Sequence, residues 1–430
     1  MRRASLICLL WFWPVTGTLW GAPEDPNLYV FADIGDGQLG LINTQTDQLI
    51  QVDVASMPDW PGNGVVHKQH AWVTPDGRTI YMSIDASPPS PAGIVVFDVN
   101  QIDWDAGTAD LTISNTLVVA PPGEASDFPA VEQVDPRQPV AHWTQPSITQ
   151  IHGPCFRPNS PWSYATVWTD NRIVAFDYER NEFTAWGPTF SYGDFSRHTH
   201  GLVFNSSGNL ALGTGYYYDQ TSIDVYFCLP GLALPIPIYS FDLRQGRKRG
   251  AFSHYTVWLN NRYAYTATMQ FARTSLSPRR RPISPPAVWL LDMWTGRAKR
   301  VIGTADTADD PGIFRSPSDQ VIANGKLYVA EEDTLDGSYG DDGFVSVYDL
   351  KNPRRPRFIK RLKPGEDLPA DFAVAHGLTV TPDQKSVFAA SYYSNHIIKI
   401  DTATDTVSRA WGAKDGLSAP HGGFVAGSNR

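Results

Sequence analysis

Cysteine is nearly absent: the 430 residues contain three, and one of them, Cys8, falls in the first 22 positions. That excludes a disulfide-stapled scaffold and a zinc site built on several thiolates. No Cys-x-x-Cys-His occurs, so the chain attaches no c-type haem of its own. Charge is also scarce, at 18% Asp, Glu, Lys and Arg, and the balance is −9. A nucleic-acid groove or a polybasic membrane-binding surface needs the opposite sign. Long amphipathic helical patterns are missing. In their place stand 35 glycines, 34 prolines and 12% aromatic residues, a mixture that suits many short strands joined by turns.

The first 26 residues, "MRRASLICLLWFWPVTGTLWGAPEDP", are organised differently. Arg2 and Arg3 precede an apolar run over 4–20, and the small residues Gly21 and Ala22 follow. This reads as a signal peptide, residues 1–22, directing the chain to the periplasm or the exterior. Pro14 and Gly17 interrupt the run and argue against a retained anchor. Cys155 and Cys228 then remain, as one disulfide or as two buried thiols.

Internal repeats organise residues 23–430. "HGLTVTPD" begins at His376, and "HGPCFRPNSP" at His152, "HGLVFNSSGN" at His200, "HYTVWLNNRY" at His254 and "HGGFVAGSN" at His421 align with it without a gap. "HAWVTPDGRTIYMS" at His70 is one residue shorter before its turn. "SDQVIANGKLYVAEE" is a further copy without histidine, and Asp319 stands almost where the histidine would be. A second element repeats independently. Apolar strands end on Asp98, Asp177, Asp242, Asp292, Asp349 and Asp401, with "LGLIN" to Asn43 as a seventh. The opening strand missing from the N-terminal copy is "HGGFV" at 421–425. A circular array closed by the C-terminal strand accounts for this and leaves no open edge. The expected fold is therefore all-β, one seven-bladed β-propeller, with rim insertions over 101–148, 215–237 and about 270–287.

In a propeller the first strand of each blade lines the central channel. Six of seven blades then place His70, His152, His200, His254, His376 and His421 at one level around the axis, using six of ten histidines. His67 lies beside His70, and the one-residue offset leaves either as the ligand of that blade. Converging imidazoles suit copper, zinc, iron or nickel, and the near absence of thiolates leaves the imidazoles as the donors. Histidine-glycine openings also serve as structural elements, with the ring bonded to a neighbouring blade. Asp319 is a candidate acid/base, a partner that orients a ring imidazole, or a turn cap, and Lys68 an anion-attracting group or a solvated side chain. Glu331 and Glu332 are weaker candidates. His396, in a turn of the last blade, reads as surface.

"HGLTVTPDQKSVFAASYYSNHIIKIDTATDTV" and "HAWVTPDGRTIYMS" resemble YVTN-type propeller repeats, with a Pro-Asp-Gly-like turn and a closing Ile-Asp-Thr-x-Thr. The histidine ring, the blade number and export together resemble two copper-cluster propellers, nitrous oxide reductase and thiocyanate dehydrogenase. What the resemblance implies is a multinuclear copper centre of about two to four ions held by the ring histidines. It also implies oxidation of a small inorganic or sulfur- or nitrogen-containing substrate. The residues after the last repeat, "AGSNR", carry no cupredoxin domain of the nitrous oxide reductase kind, so thiocyanate dehydrogenase is the closer analogue. An external electron acceptor, a cytochrome c or a cupredoxin, is expected. The competing reading is a metal-free propeller, either a binding and assembly platform or a histidine-based lyase or hydrolase.

Overall fold

The computed structural model describes residues 27–33, 35, 38–61, 68–84, 92–120, 151–167, 172–188, 199–215, 222–243, 252–269, 286–303, 317–332 and 343–428. The proposed signal peptide and His67 lie outside these residues. Among those described, no helix is long and apolar enough to cross a membrane.

Seven four-stranded antiparallel sheets form the molecule. The first contains β1 (Leu28–Asp33), β2 (Gln38–Asn43) and β3 (Leu49–Asp53). The second runs through β4 (Lys68–Val73), β5 (Thr79–Ile84), β6 (Ala92–Asp103) and β7 (Thr108–Ala120). The third is β8 (Ile151–Phe156), β9 (Trp162–Val167), β10 (Arg172–Asp177) and β11 (Glu182–Pro188). The fourth is β12 (Thr199–Phe204), β13 (Leu210–Gly215), β14 (Ser222–Phe227) and β15 (Ile236–Asp242). The fifth is β16 (Phe252–Trp258), β17 (Tyr263–Met269), β18 (Ala287–Asp292) and β19 (Arg297–Gly303). The sixth is β20 (Pro317–Ala323), β21 (Lys326–Glu331), β22 (Phe344–Asp349) and β23 (Arg357–Leu362). The seventh is β24 (His376–Val380), β25 (Ser386–Ser391), β26 (His396–Asp401) and β27 (Thr406–Trp411).

The first sheet is completed from the other end of the chain. β28 (Phe424–Val425) pairs antiparallel with Tyr29 and Val30, and His421 N donates to Ala32 O at 2.9 Å. The first strands β4, β8, β12, β16, β20 and β24 each contact the next, and β24 and β4 both contact β28. That closes a seven-bladed all-β propeller.

Local sequence explains the blades. The second strand of five blades carries a large aromatic at its third residue: Tyr81, Tyr164, Tyr265, Tyr328 and Phe388. All five are fully buried. Each packs in the apolar cluster between its own blade and a neighbour. The aspartates that end third strands make turns. Asp401 Oδ1 accepts from Ala403 N at 3.0 Å and Thr404 N at 2.9 Å, and Asp177 and Asp349 do the same with the amides that follow them.

Two expectations are corrected. "IYSFD", ending on Asp242, is the outermost strand of blade four, and the third strand is Ser222–Phe227. Its sequence, SIDVYF, is almost wholly buried but ends on Phe, so it lacks the terminal Asp that marks its counterparts. The insertion expected from 101 begins as ordered sheet: β6 and β7 form a long hairpin turning at 104–107.

Candidate functional site

The ring is present and closed. Imidazole centroids follow one another at 5.1 Å from His70 to His152, 4.5 Å to His200 and 4.2 Å to His254. They continue at 4.8 Å to His376, 4.6 Å to His421 and 4.6 Å back to His70. All six side chains are buried. Blade six supplies no histidine, yet the step across it, from His254 to His376, is 4.8 Å, shorter than the 5.1 Å from His70 to His152.

A bulge in the inner strand produces this geometry. Pairing with the second strand slips between Lys68 and Ala71, His152 and Cys155, Thr199 and Gly201, Ser253 and Thr256, and His376 and Thr379. Each ring histidine of blades two to five and seven therefore sits in or beside an extra residue that breaks the ladder and re-aims its side chain. Blade six has the same slip between Pro317 and Gln320, around Asp319.

Histidine-glycine pairs have a steric cause at two positions. Gly153 has φ +55°, and a Cβ there would stand 2.4 Å from His200 O. Gly377 has φ +61°, and a Cβ there would stand 2.3 Å from Gly422 Cα, across the closure between blades seven and one. Only glycine allows both that backbone conformation and that approach. Hydroxyls of the second strand then lash successive blades together. Thr166 Oγ1 is 2.7 Å from His200 O, and Thr214 Oγ1 is 2.7 Å from His254 O. Each threonine stands one blade before the histidine it holds. These two residues escaped the sequence reading, although both close the second strand of a histidine blade.

Blade six is bonded to both neighbours by the residues that replace the histidine motif. Asp319 is fully buried, with Oδ2 accepting from Leu378 N at 2.7 Å and Oδ1 from Gln320 N at 2.9 Å. Gln320 donates to Tyr255 O at 2.6 Å and accepts from Ala267 N at 3.0 Å. Asp319 thus ties blade six to blade seven through a backbone amide. Glu331 is held by Arg361, whose Nη2 lies 3.0 and 2.9 Å from its two carboxyl oxygens, and it also bonds Ser346. Glu332 turns the other way and meets the ring: its Oε1 is 2.6 Å from His376 Nδ1. Tyr255 packs edge-on against His254 at 4.6 Å, and half-buried Tyr392 lies 5.3 Å from both His376 and His421.

Lys68 begins β4. His396 lies away from the ring, with Nε2 2.9 Å from Asp371 Oδ1, and its side chain is only 13% exposed. The expected surface residue is therefore a half-buried tether. Cys155 and Cys228 are unbonded thiols. Burial pushes Cys155 well above the ordinary thiol range, assisted by the nearby Cys228, and burial pushes Cys228 up to about 12. Both are inert packing groups in the wedge between blades three and four.

The donor set is six imidazoles, which fits borderline transition metals. No three of the described His, Cys, Asp and Glu side chains already converge on one point in metal-holding geometry. The spacing gives the reason. A flat hexagon with these edges would put its corners about 4.6 Å from its centre, while an ion about 2 Å from an imidazole nitrogen stands only about 3 Å from the ring centroid. One central ion is out of reach of the whole set. In addition, His70 Nε2 is 3.2 Å from His152 Nδ1, so one of these nitrogens carries a proton and the other accepts it.

No protein-family model matches the chain, and no curated protein matches it. Solved structures do. A functionally unknown protein from Desulfotomaculum acetoxidans superposes with a TM-score of 0.59 at 11% identity, covering 92% of this chain and 98% of its own. A hypothetical selenium-binding protein from Sulfolobus tokodaii superposes with a TM-score of 0.58 at 13% identity, covering 94% of each chain. Dihydro-heme d1 dehydrogenase NirN superposes with a TM-score of 0.51 at 12% identity, covering 95% of this chain and 78% of its own. At these identities the likeness is one of fold alone.

Proposed function

We propose that the histidine ring is a multinuclear copper centre and that the protein is an exported oxidoreductase. Its substrate would be a small inorganic or sulfur- or nitrogen-containing molecule, as in thiocyanate dehydrogenase, and its electrons would pass to an external cytochrome c or cupredoxin. The observation that carries this reading is the closed circuit of six buried imidazoles from six different parts of the chain. A structural histidine has only to bond the backbone of a neighbouring blade, not to join a run of other imidazoles. In five of the six histidine blades a bulge lies at the imidazole, which suits a common centre.

His70, His152, His200, His254, His376 and His421 would hold the metal, by rotation of the rings from the arrangement described. Imidazole-bound copper supplies electron uptake and activates water near neutral pH. The chain's own residues contribute burial, which strengthens every polar interaction at the site, and a fixed scaffold. Thr166 and Thr214 hold the backbone at His200 and His254, while Asp319 and Gln320 hold blade six against its neighbours. The reach argument favours several ions spread around the ring over one at its centre.

A second reading is favoured by one observation, the direct His70–His152 hydrogen bond. A metal-free ring joined by such bonds suits a platform or a histidine-based lyase or hydrolase. Copper loading separates the two. Purified protein, stripped with chelator and dialysed against copper, is expected to retain about two to four ions per chain with an imidazole-nitrogen signature in its EPR spectrum. Retention of none would establish the metal-free reading.

A further inference from the structure

Blade six interrupts the histidine pattern, and what it supplies instead is a carboxyl group. β21 ends on Glu331 and Glu332 follows it directly, and successive residues of an extended chain face opposite ways. Glu331 enters the blade and is neutralised there by Arg361, with side-chain exposures of 0% and 1%. Glu332 reaches the other way across the blade boundary. Its partner is Nδ1 of His376, at 2.6 Å, with side-chain exposures of 3% and 7%.

We propose that Glu332 is a positioning residue for the ring. It holds His376 with the proton on Nδ1 and leaves Nε2 as the nitrogen that offers a lone pair to a metal. A carboxylate only accepts hydrogen bonds, so a bond this short to an imidazole nitrogen fixes the tautomer and the plane of the ring. His376 stands between His254 and His421 in the circuit, so orienting it orients the ring on both sides of the histidine-free blade. The Arg361–Glu331 pair supports the arrangement. Arg361 is engaged by Glu331, while Glu332 bonds the imidazole. A carboxylate behind a metal-binding histidine also raises the basicity of the ligating nitrogen, and losing such a partner costs roughly 10- to 100-fold in metal affinity.

The tautomer is a property of the metal-free protein, whereas the effect on affinity rests on the copper reading above. Both are measured on the full chain. Long-range 15N–1H correlation spectra of metal-free protein, with His376→Gln to assign the signals, are expected to show Nδ1–H and a bare Nε2 at residue 376. Glu332→Leu removes the acceptor and should release this tautomer; Glu332→Gln keeps an acceptor and should retain it. Competition with a chromophoric chelator should show copper affinity roughly 10- to 100-fold weaker in Glu332→Leu and an intermediate loss in Glu332→Gln. A proton on Nε2 in the wild-type protein overturns the proposal, and that test needs no variant to fold. Unchanged affinity in Glu332→Leu also overturns it. Failure of the wild-type protein to take up copper, with the tautomer as expected, defeats the copper reading but not the positioning of His376.

Discussion

Alanine at His200 or at His376 is expected to weaken copper uptake by more than about 100-fold, because removing a ligand costs more than removing the group behind it. His200 has the shortest centroid step in the circuit, 4.2 Å to His254, and His376 closes the gap over blade six. Deleting either opens the ring on a different side. The two losses should therefore be similar, and the double variant should be little worse than either single one, since residues that act as a unit are not additive. His396→Ala is the matched control: that imidazole is bonded to Asp371 and stands outside the circuit. It should bind copper like the wild type. Isothermal titration or chelator competition reads all four proteins. Independent, partial effects at His200 and His376 would mean separate structural histidines.

The second large effect concerns closure. Gly377→Ala is expected to destabilise the protein by roughly 3 kcal/mol or more, combining a residue forced to positive φ with overpacking. The added Cβ would meet the Cα of Gly422, backbone against backbone, so no side chain can swing aside. Gly296→Ala isolates the conformational part. Gly296 also has positive φ, +61°, but open space where its Cβ would go, so its cost should be only about 1 kcal/mol. Denaturant unfolding of the two variants measures the difference. Equal costs would show that blades seven and one do not meet at these glycines.

Much of this arrangement was legible in the sequence, because closure and ring both follow from repeats. Five histidines in register and a sixth one residue out, with an opening strand displaced to 421–425, suffice to imply a circle. What stayed hidden depends on contacts between blades. Thr166, Thr214 and Gln320 act on the neighbouring blade, and no spacing within one repeat announces that. Asp319 looked like a substitute for a ring histidine, yet the bulge it shares with them delivers its carboxyl to a backbone amide of blade seven. Glu332 was the weaker-looking carboxylate because its partner lies 44 positions away. Blade four misled for a local reason: its third strand ends on Phe227, while the Asp that resembles the other strand ends belongs to its outer neighbour.

The most direct measurement is an anomalous-scattering map of copper-soaked crystals, recorded on both sides of the copper edge. The account predicts more than one peak on or about the channel axis, each beside imidazole nitrogens of the six-membered circuit. An empty channel, with any copper confined to histidines outside the circuit such as His396, would contradict it.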